Sequence, residues 1–174
     1  PGGYVQPNQD FTYVWECPPK SQGSWIYHDH GPVDPVPLYK GLFGSLVIRG
    51  QGEALPDKEF FIGFHSFTPV ATGLRSNFQC VNGRSFTGNT PTYRANVGDD
   101  VQMHVYGMDD NFHTFHMHGH NWVEPGGVNV DNKTFGPGDS FSIRFTEDNP
   151  GRWFYHCHVF SHLHDGMSGW YLVE

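Results

Sequence analysis

Residues 153–167, WFYHCHVFSHLHDGM, restrict the fold more than any other stretch of the chain. Three aromatic residues lead into His156-Cys157-His158, a composition that suits an extended strand. Side chains alternate along a strand, so Cys157 faces one side while His156 and His158 face the other. One short strand can therefore serve two sites at once. His162 follows five residues after the cysteine, and Met167 five after that.

The rest of the composition agrees with a chain of strands. Among 174 residues there are 22 Gly and 13 Pro, and helix formers are few, which points to an all-β chain of short strands and turns. The formal charge of −8, from 10 Lys plus Arg against 18 Asp plus Glu, excludes nucleic acid and anionic membrane as main partners, because both require basic patches. No apolar run is long enough to span a bilayer. No signal peptide is visible. The chain opens Pro1-Gly2-Gly3 without Met, so its true N-terminus is expected to lie upstream.

Alternation and turn residues predict strands at 10–16, 24–28, 42–48 (largely apolar, hence buried), 59–64, 100–106, 140–146, 152–158 and 168–173. Proline-rich residues 31–37 read as a loop. Residues 66–90 read as long and irregular, with a turn at Asn82-Gly83. A short helical turn is expected near 159–164. Polar residues 50–58 read as a linker. This divides the chain at about residue 53. The second part, 53–174, is long enough for one complete β-sandwich, and 1–52 is only half of one. An echo joins the parts: Trp25-Ile26-Tyr27-His28-Asp29-His30 resembles Trp153-Phe154-Tyr155-His156-Cys157-His158, each with a Gly two residues before the Trp. Asp29 stands where Cys157 stands.

A thiolate, imidazoles and a distant thioether form the ligand set of a blue copper centre, with two His and one Cys in a plane and a long axial Met. Residues 111–120, NFHTFHMHGH, are the obvious source of the second imidazole. The clusters His28 with His30, His113 with His116 and His118, and His156 with His158 supply further neutral imidazoles, which suit copper. Two His-x-His pairs on duplicated strands are expected to face each other across a junction. Cys157 would pass an electron to its peptide neighbours.

The motifs HDH, HTFHMHGH and HCHVFSHLHDGM, with LYKGLFGSLVIRG and VDNKTFGPGDS, resemble those of multicopper oxidases, most nearly the two-domain small laccases of bacteria. The resemblance implies cupredoxin-like Greek-key β-sandwiches: residues 1–52 as the C-terminal part of a first domain, residues 53–174 as a second that carries the type 1 copper site. It implies His113, Cys157 and His162 as type 1 ligands with Met167 axial, and His116 as a type 2 ligand. It implies His28, His30, His118, His156 and His158 as ligands of the paired type 3 coppers. His162 is the implied electron entry. The implied partners are a small-molecule reducing substrate, dioxygen and further copies of the chain in a homotrimer with copper clusters between subunits. The family has one more upstream His-x-His, supplying one type 2 and one type 3 ligand, and no counterpart stands in residues 1–22.

Other residues carry less. His120 and His164 lie inside the motifs off the ligand spacing, as supporting or solvated residues. His104 is expected on a polar strand face, and His65 has no partner in sequence. Asp29 and Asp165 can orient imidazoles or sit in turns. Trp25, Tyr27, Trp153 and Tyr155 are redox-active or, more simply, core aromatics. Met103, Met108 and Met117 read as packing, and Asn132-Lys133-Thr134 is a chance-prone glycosylation sequon. Cys17 and Cys80 can pair in an oxidising compartment or stand as unrelated thiols. The leading expectation is a laccase-like copper oxidase, secreted or periplasmic. The alternatives are a blue-copper electron carrier, a copper nitrite reductase, or a metal-ion oxidase with Asp165 and Glu124 near His162.

Overall fold

Two sheets face each other across one apolar core in the computed structural model, which describes residues 5–31, 36–75 and 77–174. In chain order the elements are β1 (Gly23–His28), α1 (Val36–Tyr39), β2 (Phe43–Ile48), β3 (Lys58–Phe67), α2 (Pro69–Thr72), β4 (Phe78–Val81), β5 (Thr92–Ala95), β6 (Asp100–Gly107) and β7 (His113–Met117). Then come β8 (Trp122–Glu124), β9 (Val128–Val130), β10 (Asn132–Phe135), β11 (Ser140–Thr146), β12 (Gly151–Cys157), α3 (Phe160–His164) and β13 (Ser168–Val173). One sheet has the order β10-β7-β12-β13-β5, the other β11-β6-β3-β4, with small pairs β1-β2 and β8-β9 beside them. The pairs β13–β5 and β3–β6 are parallel and the others antiparallel. The core takes alternate residues from both sheets: Ile62 and Phe64, Val101, Met103 and Val105 from one, Phe115, Met117, Tyr155, Cys157 and Tyr171 from the other. Among the described residues no helix is long and apolar enough to cross a membrane.

The hairpins β1–β2 and β12–β13 repeat one another residue by residue. The indole N–H of Trp25 donates to Ser21 O at 2.8 Å, and that of Trp153 to Asn149 O at 2.8 Å, four residues back in both cases. Tyr27 lies opposite Gly44 and Tyr155 opposite Gly169, and each tyrosine ring occupies the space a Cβ on that glycine would fill. The His28 Nδ1–H points at Asp29 O and the His156 Nδ1–H at Cys157 O, both at 2.9 Å.

Several expectations change. Residues 10–16 alternate but form no strand, because no edge among the described residues pairs with them. Their aromatics contact one another instead: Phe11 edge-on to Tyr13, Tyr13 stacked with Trp15 and Trp15 tilted against Tyr27, at 4.8, 6.3 and 6.4 Å between ring centroids. β2 is half-buried throughout rather than buried. Residues 66–90 contain α2 and β4, with the turn at Asn82-Gly83 closing β4 on Arg84. The loop predicted at 31–37 lies mostly outside the described residues.

His104 does sit on the alternate face of β6, but that face is covered. It is fully buried, its Nε2 2.8 Å from Glu59 Oε1 and its Nδ1 2.7 Å from Ser142 Oγ, and Arg49 at the end of β2 closes on the same carboxylate. His65 is buried too and accepts the Gly83 N–H at 2.9 Å. Burial, with a smaller push from His113 and against the pull of Asp109, brings its pKa down to about 4. Cys17 and Cys80 are not bonded to each other: Cys17 is an exposed free thiol, and Cys80 is a buried one 3.2 Å from Ser85 Oγ.

Candidate metal centre

β12 lies between β7 and β13, with Cys157 opposite Phe115 and His156 opposite His116. The period of two then sends the two residues to opposite sides of the same sheet. On the core side, Cys157 Sγ lies 3.9 Å from His113 Nδ1 and 3.5 Å from His162 Nδ1, and all three residues are buried. A trigonal ion with first-row metal–sulfur and metal–nitrogen bonds of about 2.3 and 2.0 Å separates sulfur from each nitrogen by about 3.7 Å. The two observed separations bracket that value. The donor set fits a soft, borderline ion such as copper.

The thiol sits in a field that favours its anion. Burial raises its pKa, but hydrogen bonds from His113 and His162 and from the backbone of Thr114 and Val159 outweigh it and bring Cys157 down to about 6. The Thr114 amide lies 3.4 Å from Sγ, and the same threonine takes the His158 N–H on its carbonyl at 2.8 Å and its hydroxyl at 2.9 Å. Burial lowers His113, but Asp109 and then Cys157 overcome it and raise His113 to about 9.

Asp109 is the residue that sequence reasoning missed. Its Oδ1 accepts the His113 Nε2–H at 3.1 Å and the Asn111 N–H at 2.8 Å, and its Oδ2 accepts the Ser66 hydroxyl at 2.8 Å. It is buried, and fixing Nε2 as the donor leaves Nδ1 free to face Cys157. The only signal in the sequence was a carboxylate four residues before a histidine, in a loop where that spacing follows no rule. Met167 is fully buried in the same core, with its N–H on His162 O at 2.9 Å and its carbonyl accepting the Cys157 N–H at 3.1 Å.

On the other side of β12, ligand atoms of His116, His118 and His156 lie within 4.8 Å of one another. His118 Nε2 is 3.2 Å from His156 Nε2. The His158 ring is 5.3 Å from the rings of both His116 and His156. The Nδ1–H of His116 donates to Asp131 O at 2.7 Å and that of His156 to Cys157 O, so both Nε2 atoms remain for an ion. Burial holds the His156 pKa down to about 4 and lowers that of His118, and the neighbouring imidazoles push both the same way. For His118 and His156 the shifts favour the neutral imidazole that metal ligation requires. His120, behind it, donates Nδ1–H to His118 O at 2.9 Å and faces the buried Glu147 through Nε2 at 3.1 and 3.2 Å.

The remaining candidates stand apart. His28 and His30 are exposed on and after β1, with rings 5.6 Å from each other, and among the described residues they join neither cluster. The expected meeting of two His-x-His pairs does not occur within one copy. His164 is exposed and pairs with Asp165 at 2.8 Å. Asp29 accepts the Gly31 N–H at 3.1 Å. Glu124 is tied to Trp122 and Lys133.

The comparisons with known proteins agree on one family. Residues 65–174 match the family model described as multicopper oxidase. A probable nitrite reductase–hydroxylamine oxidoreductase fusion protein of Kuenenia stuttgartiensis is 28% identical over 100% of this chain and 22% of its own length. Ceruloplasmin of Mus musculus is 30% identical over 96% of this chain and 19% of its own. A crystal structure of a multicopper oxidase superposes with a TM-score of 0.80 at 22% identity, covering 98% of this chain and 62% of that one, which shows the shared cupredoxin-like fold. The chain thus spans about a fifth of the length of these curated relatives. With its thiolate and imidazoles so arranged on one strand, the chain belongs to the multicopper oxidase family.

Proposed function

We propose that this chain is the electron-entry part of a laccase-like copper oxidase. His113, Cys157 and His162 hold type 1 copper with Met167 axial, and His116, His118, His156 and His158 hold part of a type 2 and paired type 3 cluster. Copper in these places supplies one-electron oxidation of a small reducing substrate such as a phenol, and reduction of dioxygen to water. The single observation that carries the reading is the placement of Cys157 and His156 on opposite sides of β12, joined by one peptide and by the His156 Nδ1–H to Cys157 O hydrogen bond of 2.9 Å. The protein fixes this path before any electron moves, so little is spent on reorganisation. His162, at 8% exposure against 0% for His113 and Cys157, is the least buried of the three, and substrate would meet the centre on its side.

Residues 1–52 act as the C-terminal part of a first cupredoxin domain and 53–174 as the second. The exposed His28 and His30 add ligands to the cluster of a neighbouring copy, in a homotrimer. One type 2 and one type 3 ligand of the family pattern have no counterpart in these 174 residues, and another copy of the same residues does not add them. Copper chemistry of this kind suits a secreted or periplasmic protein.

Copper stoichiometry with optical and spin-resonance spectra tests this. About one copper per chain, with the thiolate band alone, makes these residues a blue-copper electron carrier by themselves. About four, with all three signatures, makes them a complete oxidase. No blue band removes the assignment of Cys157. A second reading, a copper nitrite reductase, is favoured by the name of the Kuenenia relative. It predicts nitrite reduction to nitric oxide under anaerobic conditions, and oxygen consumption without nitrite turnover excludes it.

A further inference from the structure

Phe86 has a left-handed backbone, with φ of 70°, although it is bulky and 53% exposed. A β-carbon is disfavoured there, and glycine would adopt the conformation freely. Such strain persists only where the surroundings over-determine it. What surrounds it is the loop that carries Met167. The Phe86 N–H donates to Gly166 O at 2.8 Å. The Thr90 hydroxyl donates to Ser168 O at 2.6 Å, and the Thr87 and Ser168 hydroxyls share a hydrogen bond of 2.8 Å. Phe86 O receives the N–H groups of Asn89 and Thr90 at 2.9 and 3.0 Å, which keeps residues 86–90 a closed turn. The approach is so near that a Cβ on Gly166 (φ +108°) would lie 2.7 Å from Phe86 N.

Met167 is thereby held from both sides. Its own N–H and carbonyl bond to His162 and Cys157, and the carbonyls of its two neighbours, Gly166 and Ser168, accept from the turn at 86–90. From this geometry we infer that residues 85–90 are a strap that sets the position of the Met167 thioether over the centre formed by His113, Cys157 and His162; the inference rests on the type 1 reading above. An axial thioether is a weak, long ligand whose place is set by the scaffold more than by its bond, and the axial ligand tunes the reduction potential. A strap that pins the backbone on both sides of Met167 is a positioning device for that ligand. A loop that merely packed would have no need of a strained aromatic, nor of two hydroxyls aimed at one residue, Ser168.

The test uses the full chain with Thr90→Val, which keeps the side-chain shape and removes the donor, Thr90→Ser, which restores it, and Thr87→Val on the exposed side. In the copper-loaded proteins, Thr90→Val and Thr87→Val are expected to shift the reduction potential and the copper hyperfine splitting, with Thr90→Ser matching the wild type. In the metal-free proteins, peroxide is expected to oxidise Met167 several-fold faster in both valine variants, read by peptide mass spectrometry. If Thr90→Val does not fold, Thr87→Val decides, since Thr87 is an exposed residue. Unchanged potential, splitting and oxidation rate in a blue protein overturn the strap alone. A wild type without a blue band overturns the type 1 reading and the strap with it.

Discussion

Asp109 holds His113 from four residues upstream, carboxylate Oδ1 to imidazole Nε2 at 3.1 Å, with both groups out of solvent. The carboxylate orients the ring and raises the basicity of the opposite nitrogen. Removing such a partner costs about 10–100-fold in metal affinity. Asp109→Asn keeps the shape and loses the charge. It is expected to weaken copper binding by about 10-fold or more and to raise the reduction potential, because the oxidised ion loses a nearby negative charge. Competitive chelator titration and redox titration measure the two effects.

Acid sensitivity has a source outside the candidate ligands themselves. His65 is neutral when folded, with a pKa of about 4 against an ordinary 6.5, because it is buried. Between those values the unfolded chain binds more protons, so stability falls as pH drops from about 6.5 to 4 and this contribution is intact above 6.5. At about 1.4 kcal/mol per unit, the loss reaches about 3 kcal/mol. Denaturant melts across that window should show the slope, and His65→Gln should flatten it.

Much of the site was legible in the sequence, for physical reasons that are specific to it. Cys157 and His156 could be sent to opposite faces because a strand has a period of two and needs no tertiary information. The grouping of His116, His118 and His156 follows from the pairing of two His-bearing strands. Asp109 and Ser66 were invisible because they meet only after β3 and the loop before β7 come together, 43 residues apart. His104 was misjudged because alternation tells which face a residue occupies, not whether another element covers it. The same limit explains residues 10–16: alternation shows that a segment can be a strand, and pairing decides whether it is one. The short strands β5, β8, β9 and β10 have too few residues to show a period.

The two glycines beneath tyrosines should respond differently to the same substitution. Gly169→Ala drives a methyl into Tyr155, which is 1% exposed and tethered to Pro91 O at 2.7 Å. Overpacking of that kind costs about 1–3 kcal/mol. Gly44→Ala meets Tyr27, which is half-exposed and can swing aside, so its cost should stay within about 0.5 kcal/mol, as for surface changes. Thermal or denaturant unfolding of the two variants compares them directly.

Exposed His28 and His30 separate the two kinds of copper chemistry. Replacing both by Ala should leave the blue absorption of Cys157 unchanged, because they stand apart from it. The same variant should bind less copper beyond the blue site in an assembled protein, read by copper stoichiometry. A diminished blue band would place these residues in the wrong site.

The shared strand has a mechanical consequence. Cys157 and the imidazoles on either side of it are consecutive residues, so the gap between the two clusters can change only through backbone and side-chain torsions, and the backbone of β12 is paired on both sides. Side chains in the surrounding core can drift, swell or be exchanged over evolutionary time, and each change will move a potential or a melting point. None of them can lengthen the covalent bridge itself. In a molecule otherwise held together by soft contacts, that reach is capped by the chain, and it is written in three adjacent codons.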